Sequence, residues 1–157
     1  MDFFSQCLKF VTIDHPYSSL KEVSHCCRVA VYVSAKDWCL RDKESTFVKG
    51  IALLHDYLED AKVDKVSDIP ALESFLDDVA FATEHYQDVE RVKRALERLT
   101  RKQDQSYDDY MQSIIHCDDE WVFIVKQADM RDHFAEFDTL TEKLRNKYLP
   151  YVSYFMR

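Results

Sequence analysis

The chain has 157 residues, of which 46% are hydrophobic and 13% aromatic, enough for one domain with a sizeable core, and this excludes intrinsic disorder and a disulfide-stapled miniature. One Gly and three Pro exclude Gly-rich phosphate loops and deprive an all-β protein of its turns, so helix is the expected class. With 21 Lys and Arg against 29 Asp and Glu the net charge is −8, and no basic run offers duplex nucleic acid the phosphate contacts on which its binding depends.

Met1-Asp2-Phe3-Phe4 places an acidic residue where a secretory signal needs positive charge. No apolar stretch approaches the roughly 18 residues of a membrane span. Cys7, Cys26, Cys27, Cys39 and Cys117 form no CxxC pair. An odd set of this kind suits reduced, mostly buried thiols better than a disulfide framework or a zinc-thiolate site. The expected location is the cytoplasm, that of a host if the chain is viral.

Val23, Cys26, Cys27, Ala30 and Val33 recur at three- and four-residue steps, with Ser19 and Glu22 as a capping box. The spacing predicts a helix from Ser19 to Lys36. A second helix is predicted from Lys43 to Asp60, striped by Phe47, Ile51, Leu54 and Leu58. Pro70 opens a third, carrying Leu72, Phe75, Leu76, Val79 and Ala80 to about His85. A charged helix follows over Asp88 to Lys102, and Ser106 with Asp109 caps one through Ile115. Trp121 to Val125 is β-branched and aromatic, which suits a buried strand. It is read as helix because it continues to Ala128 and Phe134 and no other segment offers a strand partner. Thr139 with Glu142 caps a last helix, which Pro150 kinks or restarts before Tyr154. No repeat or linker divides residues 1–157, so the expectation is a single all-α domain.

The informative stretch is Leu53-Leu54-His55-Asp56-Tyr57-Leu58-Glu59-Asp60. On a continuous helix Glu59, Asp56 and Asp60 fall about 40°, 100° and 140° from His55, all in one sector beside the apolar stripe. A neutral imidazole and an adjacent carboxylate can both bind one divalent metal if other helices add ligands. Taken alone, the His-Asp pair fits a solvated helix face better than a metal site. His25 lies in an earlier helix, and Asp129 follows an apolar run where a buried carboxylate must be paired or metal-bound. Glu22 with His25 forms half of a di-iron ExxH site, but no second ExxH exists.

The order His, His-Asp, Asp resembles the HD-domain superfamily of metal-dependent phosphohydrolases. More narrowly, Leu53 to Asp60 resembles the LLHDxxED signature of RelA/SpoT-type guanosine tetraphosphate hydrolases, in their small stand-alone form. His25-Cys26-Cys27-Arg28-Val29-Ala30 is similar to that family's HxxxVA helix, and Val125-Lys126-Gln127-Ala128-Asp129 to its KLAD segment. Leu99-Thr100-Arg101-Lys102 and Ser106-Tyr107-Asp108-Asp109-Tyr110 are similar to its LTR and tyrosine region. His133 stands where the family has an Asn that contacts the ribose, and the family's Arg-Lys pair ahead of its first His has no counterpart here.

The resemblance implies an HD-type helical bundle with its metal site between helices. It assigns His25, His55, Asp56 and Asp129 to one divalent ion, manganese, with Glu59 and Asp60 positioning or deprotonating water. Arg28, Lys102, Tyr107, Lys126, Arg131 and His133 are the candidate substrate-binding residues. The activity implied is hydrolysis of a nucleotide phosphoester, with release of 3′-pyrophosphate from guanosine or adenosine alarmones. An HD-type 5′-nucleotidase and a non-catalytic nucleotide-binding module are the alternatives.

Overall fold

The computed structural model describes residues 1–34 and 42–156. Cys39, and the end at Lys36 of the first predicted helix, lie outside the described residues. The chain forms helices α1 (Phe3–Lys9), α2 (Leu20–Ser34), α3 (Asp42–Leu54), α4 (Tyr57–Asp60), α5 (Pro70–Thr83), α6 (Tyr86–Arg98), α7 (Tyr107–Ile115), α8 (Glu120–Ala135), α9 (Glu142–Tyr148) and α10 (Val152–Phe155). No strand occurs among the described residues, and none of the described helices is long and apolar enough to cross a membrane.

Helices α2, α3 and α8 pack against one another and form the centre, with α1 and α6 laid against α3. The stripe read from the sequence is the inner face of α3, with Phe47, Ile51 and Leu54 buried, but Val48, Ala52 and Leu53 are buried as well. Surrounded on most sides, α8 buries Trp121, Val122, Ile124, Val125, Ala128 and Met130. A helix enclosed in this way needs no amphipathic period, which is why its first residues also suit a strand.

The predicted helix over Lys43 to Asp60 is broken. It stops at Leu54, and Asp56 adopts φ −96° and ψ 1° before α4 begins. Two carbonyls of the last turn are taken by side chains: the Tyr17 hydroxyl donates to Leu53 O at 2.6 Å and His55 Nδ1 donates to Ala52 O at 2.7 Å. These bonds satisfy groups that a helix end leaves open, and they turn His55 and Asp56 away from the angular positions of a continuous helix.

An unpredicted N-terminal helical segment precedes α2. Asp2 caps α1 by accepting from Ser5 N–H at 2.8 Å, and residues Phe10–Asp14 widen into a π-helical turn closed by His15 N–H to Phe10 O at 2.8 Å. Two capping predictions hold, since Ser19 Oγ accepts from Glu22 N–H and Ser106 Oγ from Asp109 N–H. The last does not: Thr139 lies in a 3₁₀ turn, and Thr141 caps α9 by accepting from Leu144 N–H. Helix α5 ends at Thr83 rather than near His85, with Glu84 in the left-handed region at φ 60°. Helix α6 begins two residues before Asp88 and ends at Arg98, short of Lys102. Of the described cysteines all are free; Cys7 and Cys26 are buried, Cys27 and Cys117 partly so.

Gly50 is the only glycine of the chain, and it lies within α3 where α1 crosses. A Cβ there would lie 2.3 Å from Phe3 Cε1 and 3.1 Å from Cys7 Sγ, and the Phe3 ring is itself held against Phe47 with centroids 4.9 Å apart. Gly50→Ala is expected to lower stability by about 1–2 kcal/mol despite alanine's better helix propensity. Adding Phe3→Leu should restore part of that loss, as read from urea unfolding of both variants.

Tyr110 is buried, and its hydroxyl donates to Leu99 O at 2.5 Å. Burial pushes its pKa up to about 12. The folded state therefore holds this proton more tightly than the unfolded chain, whose tyrosines titrate near pH 10. Its contribution is complete below about pH 10 and is lost as pH rises through about 12. Tyr110→Phe should flatten the fall of unfolding free energy across that window in urea titrations at stepped pH.

Candidate metal centre

Four residues from three places in the chain converge. His25 comes from α2, His55 and Asp56 from the break after α3, and Asp129 from α8. His25 Nε2 lies 3.0 Å from Asp129 Oδ1 and 3.4 Å from Asp56 Oδ2. His55 Nε2 lies 3.3 Å from Asp56 Oδ1 and 3.6 Å from Asp129 Oδ1. All four predicted ligands are thus brought together.

Both imidazoles are oriented through their other nitrogen. His55 Nδ1 donates to Ala52 O, and His25 Nδ1 donates to Asp132 Oδ2 at 2.7 Å. In the neutral rings this leaves the lone pairs on the two Nε2 atoms that face the centre. His55 Nε2 is buried and, for all its proximity to carboxylates, has no hydrogen-bond partner. A buried polar atom left without a partner costs stability, so it demands an explanation.

A divalent metal fits that demand. Bonds of about 2.1 Å set neighbouring donors about 3.0–3.4 Å apart, close to the nitrogen–oxygen distances of 3.0, 3.3 and 3.4 Å here. Imidazole nitrogen and carboxylate oxygen also form a donor set suited to first-row divalent ions. His25, His55 and Asp56 make one candidate cluster, and His25, Asp129 and His133 make a second.

The electrostatics favour positive charge at this point. Burial opposes protonation of His55, but Asp56 above all, with Cys26 and Asp129, outweighs it and holds the pKa well above the ordinary value. Burial likewise opposes protonation of His25, and its hydrogen bond to Asp129 overcomes it. Burial would raise Asp129, yet the Lys126 charge and the neighbouring imidazoles of His133, His25 and His55 hold it well below the usual carboxylate range.

The site opens on a cleft of about 960 Å³. Asp56, Asp129 and His133 form part of its wall, together with Glu59, Asp60, Lys102, Tyr107 and Lys126. Glu59 Oε1 accepts from Arg101 N–H at 3.1 Å. Both oxygens of Asp60 are engaged by Ser18, through its backbone N–H at 3.0 Å and through its hydroxyl, so Asp60 ties the chain ahead of α2 to α4. Lys126 is buried and paired to Asp129 Oδ2 at 2.8 Å.

Two predicted substrate contacts lie elsewhere. Arg28 is fixed to Asp132 by Nε at 2.8 Å and Nη2 at 3.0 Å, and Arg131 sits 5.0 Å over the Tyr32 ring. Neither lines the cleft, because each is held on the outer side of the α2–α8 contact.

Sequence reasoning singles out neither Asp132 as the partner of His25 nor Lys147 as part of the cleft. Asp132 joins His25 to Arg28, and its position three residues after Asp129, on the same helix face, is the available signal. Lys147 lies 4.3 Å over Tyr107 in the cleft, with no motif around it. Burial lowers its pKa, and repulsion from Arg101 and Lys126 lowers it further. Arg101, Lys126 and Lys147 thus bring cationic groups near one another in the cleft, with Glu59 and Asp129 offsetting part of their charge. Comparison of the chain with protein-family models, curated proteins and solved structures returns no match.

Removing the carboxylate that orients a ligating imidazole typically costs about 10–100-fold in metal affinity. Asp132→Asn should therefore weaken manganese binding by about that factor in calorimetric titration, with Arg131→Gln, remote from the cleft, leaving it unchanged.

Proposed function

We propose that the chain is a divalent-metal-dependent phosphohydrolase of the HD type acting on nucleotides. Its proposed substrates carry pyrophosphate on the ribose 3′ oxygen, as in guanosine tetraphosphate and its adenosine counterpart, and manganese is the proposed ion. The observation that carries this reading is the buried, partnerless His55 Nε2 facing His25, Asp56 and Asp129. Further support comes from the HDxxED spacing and from the cleft that Glu59 shares with Asp56, Asp129, Tyr107, Tyr148 and Lys147.

A divalent ion at the centre supplies Lewis acidity toward a phosphoryl oxygen and makes water more acidic. His25, His55, Asp56 and Asp129 would hold it. Glu59 takes the proton of the attacking water, its carboxylate steadied by the Arg101 amide. Asp60, bound on both oxygens by Ser18, is a positioning residue rather than a base. Lys147, Arg101 and Lys102 draw the phosphates into the cleft. Lys126 holds Asp129 ionised while remaining on the cleft wall. Tyr107 offers a ring face to the base and a buried hydroxyl without a partner among the described residues. As the oxygen–phosphorus bond to water forms, the bond between phosphorus and the ribose 3′ oxygen breaks, and the leaving oxygen takes up a proton.

Manganese-loaded protein is expected to release pyrophosphate from 3′-pyrophosphorylated nucleotides, read by anion-exchange chromatography, with Asp56→Ala inactive. Glu59→Gln should lower kcat by about 100-fold or more while the metal stays bound. Undiminished turnover by that variant, with orthophosphate released from monophosphates, would establish a 5′-nucleotidase instead. Nucleotide binding without turnover in metal-loaded protein would overturn catalysis and leave a binding module.

A further inference from the structure

We propose that His133 is a fifth protein ligand of the ion, so that three imidazoles and two carboxylates surround it. This rests on the metal reading above and extends it to a residue that the HD resemblance places on the substrate. His133 lies one helical turn after Asp129 on α8, and its Nε2 is 3.2 Å from Asp129 Oδ1. That is the same oxygen approached by His25 at 3.0 Å and His55 at 3.6 Å. Ligand atoms of His25, Asp129 and His133 lie within 4.8 Å of one another, as do those of His25, His55 and Asp56.

The two triads belong to one ion rather than two. They share His25, whose Nδ1 is committed to Asp132, and the single lone pair of its Nε2 serves one metal. The His133 ring is also fixed in place. It is stacked between His25, with centroids 5.1 Å apart, and Tyr148, with centroids 4.6 Å apart and planes 16° from parallel. A ring clamped on both faces, with Nε2 turned to the Asp129 oxygen, is preorganised to ligate rather than to follow a ribose.

A third imidazole has a chemical consequence. Nitrogen donors favour the later first-row ions over manganese more strongly than carboxylates do. The native site should therefore discriminate for cobalt over manganese, and His133→Asn should narrow that preference.

The test uses the full chain with cobalt and manganese, read by calorimetry and by the visible spectrum of the cobalt form. Expected for His133→Asn is cobalt binding weakened about tenfold or more, a smaller loss for manganese, and a changed cobalt spectrum. In parallel, the Nε2 resonance of His133 in the ¹⁵N-labelled native chain should shift on zinc addition together with those of His25 and His55, a readout that requires no variant. Native affinity and spectrum in His133→Asn, or a His133 resonance unmoved while those of His25 and His55 shift, would overturn the fifth ligand and leave the four-ligand site standing. Absence of any cobalt or manganese binding by the native chain would overturn both readings.

Discussion

A carboxylate in the middle of a protein is tolerated only when its charge is answered, and Asp129 is answered from every side. Its buried oxygens meet the Lys126 ammonium and three imidazoles. Meeting that demand brings α2 and the end of α3 to α8, because the answering groups sit on those elements. Around this point Ile51, Val125 and Met130 are fully buried, so the charged cluster and the apolar packing hold the same three elements together.

The same requirement explains why the helix after Gly50 ends where it does. Had α3 continued, His55 and Asp56 would point about 100° apart. The interruption lets both address one point, and the carbonyls it exposes are taken by Tyr17 and by His55 itself. One imidazole therefore closes a helix end with one nitrogen and faces the His25, Asp56 and Asp129 cluster with the other. Structural and chemical roles are joined in a single ring, and a substitution at His55 affects both.

Much of this was readable in the sequence, for identifiable reasons. The Phe47, Ile51 and Leu54 stripe and the caps at Ser19 and Ser106 are local signals, and local bonds execute them. The convergence of His25, His55, Asp56 and Asp129 was readable because their residue types are costly to bury without a shared purpose. The break at His55 was not, since it depends on Tyr17, whose hydroxyl arrives from far along the chain. The end of α5 was hidden because Glu84 takes a conformation that glycine usually signals. The short α1 offers only Phe3, Cys7 and Phe10 as a pattern, though Asp2 is an adequate cap. Arg28 and Arg131 lie outside the cleft lining, since proximity in sequence to a candidate ligand does not say where a long side chain goes.

The residues ahead of α2 carry none of the proposed ligands, yet they hold the centre from outside. Phe3 occupies the space that Gly50 leaves, Tyr17 closes the end of α3, and Ser18 grips Asp60. Three successive attachments thus run from the first helix to the turn that carries His55, Asp56 and Glu59. The opening of the chain acts as a brace, so a minimal domain trimmed to the span of its motifs would retain every ligand while losing the scaffold that aims two of them.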